Sequence, residues 1–352
     1  MIRVPVEIFA FSSEAAAMAR GGRLVFANAE ARLLLGSDWE GKSVEAAFGP
    51  EVAGTQAASF VADVVLDDKR CSLRSTRQDG AQLFFFGVAD CQLPVLNDAF
   101  IYSLRSSLMT VNMALELCRA KAEEQGSVEI LSSLREISRS QFRLTRLVSN
   151  ASMLQNSVSG GFCFNPVPVD AAQLCRECVD CVRGLVDGVE FSLGAADTMP
   201  INADPGLLKK LLLNLISNCL IHAAGCSRIK INLLDSADTV FISVSDDGQG
   251  IEQEQLHRVF DRYRHIYDAS EMNGGAGLGL SVVRLIAQKH GGTLLLESRS
   301  GQGTTVQVSL KKNKTAGMAL RSTDAEGFEI KTALTELADC LDSSFYDEKY
   351  MD

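Results

Sequence analysis

The sequence predicts an α+β multidomain protein, and three observations carry that prediction. Short strand-like runs separated by turn residues fill the first 95 residues, and two long heptad-patterned stretches follow. Helices then alternate with strands from about residue 158 to residue 312. A chain of 352 residues exceeds one ordinary core, so several domains are expected. The expected divisions are a mixed α/β domain at 1–95, a helical hairpin at 96–157, an α/β sandwich at 158–312, and an acidic tail at 313–352 that is expected to be mobile.

Composition narrows the function classes. A hydrophobic content of 46% beside 22% charged residues reads as globular and soluble. No apolar run approaches the roughly 18 residues needed to cross a bilayer, so no membrane span is expected. The opening Met1-Ile2-Arg3-Val4-Pro5-Val6-Glu7 lacks a basic-then-apolar signal pattern, which leads to the expectation of a cytoplasmic protein. A net charge of -10 argues against a nucleic-acid surface, because phosphate binding needs clustered Lys and Arg. Cys175, Cys178 and Cys181 stand three apart on an amphipathic stretch with Leu174, Val182 and Leu185 inward. No fourth ligand follows at a recognisable spacing, so these thiols read as core packing rather than a metal site.

In the first 95 residues, Val4 to Phe11, Arg23 to Ala27, Phe60 to Leu66, Cys71 to Thr76 and Gln82 to Val88 are expected strands. Gly21-Gly22, Asp67-Asp68 and Asp79-Gly80 supply turns between them. The phrase Gly22-Arg23-Leu24-Val25-Phe26-Ala27-Asn28-Ala29-Glu30-Ala31, followed by Leu33-Leu34-Leu35-Gly36, resembles the opening of a PAS sensory domain. The resemblance implies a PAS-like fold used for sensing or for dimer contacts.

The next region changes period. Ile101, Leu104, Leu108, Val111, Leu115, Cys118 and Ala122 fall on alternating three- and four-residue steps. After Gln125-Gly126-Ser127 the pattern resumes with Ile130, Leu134, Ile137, Gln141, Leu144, Val148 and Ala151. One hairpin with such a seam cannot bury its apolar stripe alone, so a four-helix-bundle homodimer is expected.

Farther along, helices are expected at 170–186, 204–223 and 279–290, and strands at 228–234, 239–245, 293–298 and 304–310. Asn214 and Asn218 lie four apart and share one helix face, which His222 extends. Such a row can hold a hydrated Mg2+ and polyphosphate oxygens, since magnesium keeps several waters and takes few protein ligands. Asp246 closes a strand and precedes Gly248 and Gly250, where backbone can turn tightly against a flat ring. Its carboxylate can accept from an exocyclic amine such as that of adenine. Gly274-Gly275-Ala276-Gly277-Leu278-Gly279-Leu280 opens a helix whose amides can face phosphates. Between the blocks, Val259-Phe260-Asp261-Arg262-Tyr263-Arg264 combines an apolar anchor with cations, as a lid over bound nucleotide would.

Together these blocks resemble the ATP-binding domain shared by histidine kinases, gyrase, Hsp90 and MutL. The pattern is most similar to sensor histidine kinases: Asp204-Pro205, the Asn helix, the two glycine blocks, then Gly301-Gln302-Gly303-Thr304-Thr305. The resemblance covers roughly residues 96 to 310. It implies ATP and Mg2+ as cofactors, with Asn218 on the metal, Asp246 reading adenine, and Gly277 and Gly279 lining the phosphates. It further implies Asn214, catalytic in role, together with His222, Gly248, Gly250, Arg264, Gly275 and Leu278 around the nucleotide. Where the family usually has a basic residue three positions after the second Asn, this chain has Ile221.

The family's dimerisation helix carries a phosphorylated histidine in a stretch such as His-Glu-Leu-Arg-Thr-Pro-Leu. The matching stretch here is Tyr102-Ser103-Leu104-Arg105-Ser106-Ser107-Leu108, with Tyr102 at the acceptor position and Ser103 at the acidic one. No histidine occurs before residue 222, so phosphorylation on a histidine of this hairpin is excluded by composition. Tyr102 has no evident base beside it to activate its hydroxyl. The resemblance therefore implies one of three roles. The chain is a kinase relative that phosphorylates another protein, a pseudokinase acting as an ATP-responsive dimer on a response regulator or partner kinase, or a sensory scaffold with an inactive pocket.

Overall fold

The computed structural model describes residues 15–67, 69–78, 80–88, 98–252, 278–312 and 330–347. The strand expected at Val4 to Phe11 and the lid segment Val259 to Arg264 lie outside the described residues.

An antiparallel N-terminal sheet is built from β1 (Ala15–Arg20), β2 (Arg23–Ala27), β3 (Ser59–Leu66), β4 (Lys69–Gln78) and β5 (Ala81–Val88). Its order is β2-β1-β5-β4-β3. Three short helices cross over between β2 and β3: α1 (Ala29–Leu35), α2 (Val44–Phe48) and α3 (Pro50–Gly54). Asn28 fixes this turn: its buried Oδ1 accepts from Ala31 N to cap α1 and from Ala16 N on β1. The core beneath is aromatic, with Phe48 stacked at a tilt on Phe84 and Phe86.

The heptad region forms α4 (Asp98–Glu124) and α5 (Val128–Ser159), turning at Gln125 to Ser127 as the sequence predicts. Only part of the expected seam is buried within one chain. Ile101, Leu115, Ala122 and Leu134 are covered, whereas Leu104, Val111, Ile130, Ile137 and Leu144 remain exposed.

The remaining helices are α6 (Ala171–Arg183), α7 (Pro205–His222) and α8 (Gly279–Lys289). The sheet they accompany contains β7 (Glu190–Gly194), β9 (Arg228–Asp235), β10 (Thr239–Asp246), β11 (Leu294–Ser298) and β12 (Thr304–Lys311). β6 (Val167–Asp170) and β8 (Pro200–Ala203) make a separate two-stranded ribbon. Alternating burial along β9 and β10 marks one covered face and one open face. Asp204 caps α7 through Leu207 N, and Pro205 follows at its first turn. Inside α7, Leu211, Leu212, Leu215 and Ile216 are buried in the largest apolar cluster.

The two sheets are continuous. β3 pairs antiparallel with β11, placing Leu295 opposite Ala62 and Leu296 opposite Val61. Ten strands thus run in the order β2-β1-β5-β4-β3-β11-β12-β10-β9-β7. Each half inserts a residue into the other's core: Leu295 packs among the N-terminal aromatics and Val61 joins the C-terminal cluster. The buried pair Asp63–Arg284 and the bond from Thr293 to Glu51 fasten the same junction.

The expectation of a mobile tail is corrected for its last part. Ile330–Glu336 is a helix, α9, and Ser343–Phe345 is a 3-10 turn. Ala333, Leu334, Leu337, Ala338, Leu341 and Tyr346 are all buried in the main cluster with Phe142 and Leu154 of α5. Apolar residues spaced along one helical face outweigh the acidic composition that suggested a free end. The Tyr346 hydroxyl donates to Leu334 O, and its ring lies 5.1 Å from that of Phe142.

Two predictions follow from this packing. Tyr346→Ala should cost about 3 kcal/mol in denaturant unfolding, as for other buried aromatic truncations; a free tail would give no change. His290, buried at the end of α8, must donate from Nδ1 to Ile286 O and accept at Nε2 from Asp204 N, so it is held neutral. Burial pushes its pKa below the ordinary 6.5. Its stabilising contribution is complete above that ordinary value and is lost as pH falls through the depressed folded value. The melting temperature of the parent should therefore drop more than that of His290→Asn between about pH 7 and about pH 5.

Candidate nucleotide-binding site

Strand β10 delivers Asp246 to the end of the sheet, where the chain must turn back over α7. The Asp246 Oδ1 accepts from Gly248 N at 3.0 Å and Thr304 N at 3.3 Å, which locks the carboxyl against the start of β12. Burial raises the Asp246 pKa, while those two amides pull it back toward the ionised form. Its neighbour Asp247 is held well below the ordinary carboxylate range, first by the Ser227 hydroxyl and then by the Arg228 amide.

Glycine is obligatory in this loop for steric reasons. A Cβ on Gly248 would lie 2.6 Å from Ala223 Cβ, and one on Gly250, at φ +66°, would lie 2.1 Å from Arg299 O. The loop is thus pressed between the end of α7 and the turn before β12. It leaves Asp246 half-buried between the end of α7 and the first residue of β12.

The expected polar row on α7 runs from core to surface. His222 is exposed at the end of the helix, and its carbonyl accepts from Gln249 Nε2 at 3.5 Å. Asn218 is half-buried, and its Nδ2 is buried without a hydrogen-bond partner among the described residues. Asn214 is 0% exposed and stands one layer behind. Its Nδ2 donates to Lys210 O at 2.8 Å and Glu336 Oε2 at 2.9 Å, and its Oδ1 accepts from Arg146 at 3.0 Å. Both amide hydrogens of Asn214 are thus engaged within the protein, and its Oδ1 accepts one bond, from Arg146.

The start of α8 lies directly over this row. A Cβ on Gly279 would be 3.1 Å from Asn214 Oδ1 and 3.4 Å from Asn218 Oδ1, so glycine lets the helix end approach both amides. Leu278, expected near the nucleotide, turns its side chain into the apolar cluster. Arg264, Gly275 and Gly277 lie outside the described residues.

Asn218 offers one amide oxygen as a metal ligand and an orphaned amide donor for a phosphate oxygen, which suits Mg2+ with most of its waters retained. Among the described residues no group of three or more His, Cys, Asp and Glu side chains could hold a metal by itself. The three cysteines of α6 are packing residues: burial pushes the Cys175 thiol up to about 12 and that of Cys181 up to about 11.

Sequence reasoning missed the charged residues behind the site. Lys210, followed by Leu211, Leu212 and Leu213 on α7, was a signal that a buried acid must face it, and Glu336 is that acid. Arg146 on α5 was passed over because it lies outside the nucleotide motifs. Thr304 was seen only as part of a glycine turn, although its amide holds Asp246.

Residues 203–314 match the family model described as histidine kinase-, DNA gyrase B-, and HSP90-like ATPase. The sensor protein IrlS of Burkholderia pseudomallei is 31% identical over 203 residues, covering 57% of this chain and 42% of that protein. The histidine protein kinase DivJ of Caulobacter vibrioides is 39% identical over 112 residues, covering 32% of this chain and 19% of that protein. The chain thus spans less than half the length of these two curated relatives. The ATP-binding domain of PrrB from Mycobacterium tuberculosis is 28% identical, with 43% of this chain and 99% of that one covered at a TM-score of 0.35. The aspartate-glycine loop, the asparagine row and the family match fall on the same elements, so residues 203–314 carry a histidine kinase-, DNA gyrase B-, and HSP90-like ATPase domain, in a chain similar to sensor histidine kinases.

Proposed function

We propose that this chain binds Mg-ATP in the niche between Asp246, Asn218 and Gly279 and acts as a dimeric protein of two-component-type signalling. The observation that carries the reading is the placement of Asp246: Gly248 and Thr304 amides fix one oxygen, which orients the carboxyl at the rim of the niche as an acceptor for an adenine amine. Asn218 would hold the Mg2+, and the amides at the start of α8 would face the phosphates. The magnesium would neutralise phosphate charge, while this chain's own residues bind, orient and cover the nucleotide.

The output differs from autophosphorylation on a histidine of the hairpin. Tyr102 occupies the matching position and is 75% exposed on α4, and no histidine precedes residue 222. Nucleotide state would then be read by a partner, a response regulator or another kinase, or phosphate would pass to another protein. Exposure of Leu104, Val111, Ile137 and Leu144 along the hairpin supports pairing with a second copy. The N-terminal PAS-like unit, joined to the ATP-binding sheet through β3 and β11, is the sensory part in this reading.

Two measurements test it. Asp246→Asn keeps the Gly248 and Thr304 contacts but presents an amide donor to adenine; by calorimetry it should weaken Mg-ADP binding about tenfold or more. Unchanged affinity would remove Asp246 from the adenine contact. Incubation with γ-labelled ATP should leave no acid-labile label on the purified chain. Acid-stable label lost in Tyr102→Phe would instead make Tyr102 the acceptor.

A further inference from the structure

We propose that residues 330–347 are a clasp that couples the helical hairpin to the phosphate end of the nucleotide niche, with Glu336 and Arg146 as positioning residues for Asn214. The proposal rests on the nucleotide reading above for the identity of the coupled ligand.

The segment lies along α5 and reaches α7. Its outer end is gripped by Arg135, which bonds Asp347 at 2.7 Å, and by Arg119, which donates to Tyr346 O at 2.8 Å. Its middle is held by Arg143, which donates to Ala338 O at 3.1 Å and pairs with Asp339 at 3.3 Å. The inner end is a buried cluster. Arg146 pairs with Asp339 at 2.8 Å and Glu336 at 3.5 Å and donates to Ser217 at 3.2 Å, while Lys210 pairs with Glu336. Two cations from two different helices are thereby neutralised by two carboxylates from the C-terminal segment.

The cluster does not end there. Glu336 accepts from one side of the Asn214 amide and Arg146 donates to the other, so the orientation of Asn214 is set by the clasp and the hairpin together. Asn214 Oδ1 and Asn218 Oδ1 form the surface on which Gly279 rests. Release of Glu336 would leave the Lys210 ammonium buried without its carboxylate and would take one partner each from Arg146 and Asn214. They would have to rearrange beneath the first turn of α8, the turn whose amides face the phosphates. A shift of the clasp is thus felt at the niche, and by linkage an occupied niche must change the stability of the clasp equally.

The test uses the full chain, with Mg-ADP as ligand. Amide hydrogen exchange should slow across 330–347 when Mg-ADP binds, although that segment contains none of the nucleotide motifs. Glu336→Gln should speed exchange there without ligand and weaken Mg-ADP about fivefold or more. Asp339→Asn, at the less buried edge of the cluster, should act in the same direction and serves if Glu336→Gln does not fold. Wild-type protein that binds Mg-ADP with no change in exchange at 330–347, together with Asp339→Asn of unchanged affinity, would overturn the coupling and leave the nucleotide reading intact. Wild-type protein that binds no Mg-ADP would defeat both.

Discussion

Helix α7 carries a lysine, an asparagine and a serine into an apolar interior, and the rest of the molecule is arranged to satisfy them. Lys210, Asn214 and Ser217 are all buried on this helix. An unpaired ammonium or amide there would cost several kcal/mol, so partners must come from elsewhere in the chain. They come from α5 as Arg146 and from the C-terminal segment as Glu336 and Asp339. Two regions distant in sequence are thereby bound to one helix, and that same helix carries Asn218 of the proposed nucleotide site.

The second joint is made of backbone. Pairing of β3 with β11 turns two sheets into one and covers an edge of each. The Asp63–Arg284 pair reaches from the N-terminal sheet to α8, the helix that begins at Gly279. Both joints thus end on the helices that meet at Gly279, one on α7 through Asn214 and one on α8 through Arg284.

Regular elements with strong periodicity were legible in the sequence. The hairpin, α6 to α8 and the four strands β9 to β12 fall within a few residues of their expected bounds because apolar spacing and capping agree there. β1 was not legible, since Ala15 to Arg20 is mostly alanine, a helix former, and becomes a strand only through pairing with β2 and β5. The short β6, β7 and β8 lack enough residues to show a period. Around the proposed site, the turn at Gly248 and Gly250 and the helix start at Gly279 were legible because each is constrained locally. The role of Asn214 was not, because the carboxylate that engages it lies 122 residues away. Its signs were a row of arginines on α5, Arg135, Arg139, Arg143 and Arg146, and an acidic C-terminus, two charge patterns far apart in sequence.

The buried cluster itself can be measured by a double-mutant cycle. Arg146→Met and Glu336→Leu are each expected to cost about 3 kcal/mol or more in unfolding free energy, because each strands the partners that remain. The double variant is expected to cost less than the sum of the singles by about 1 kcal/mol or more. Additivity within about 0.5 kcal/mol would show that Arg146 and Glu336 do not interact, and that the hairpin, α7 and the C-terminal segment are not held by a common network.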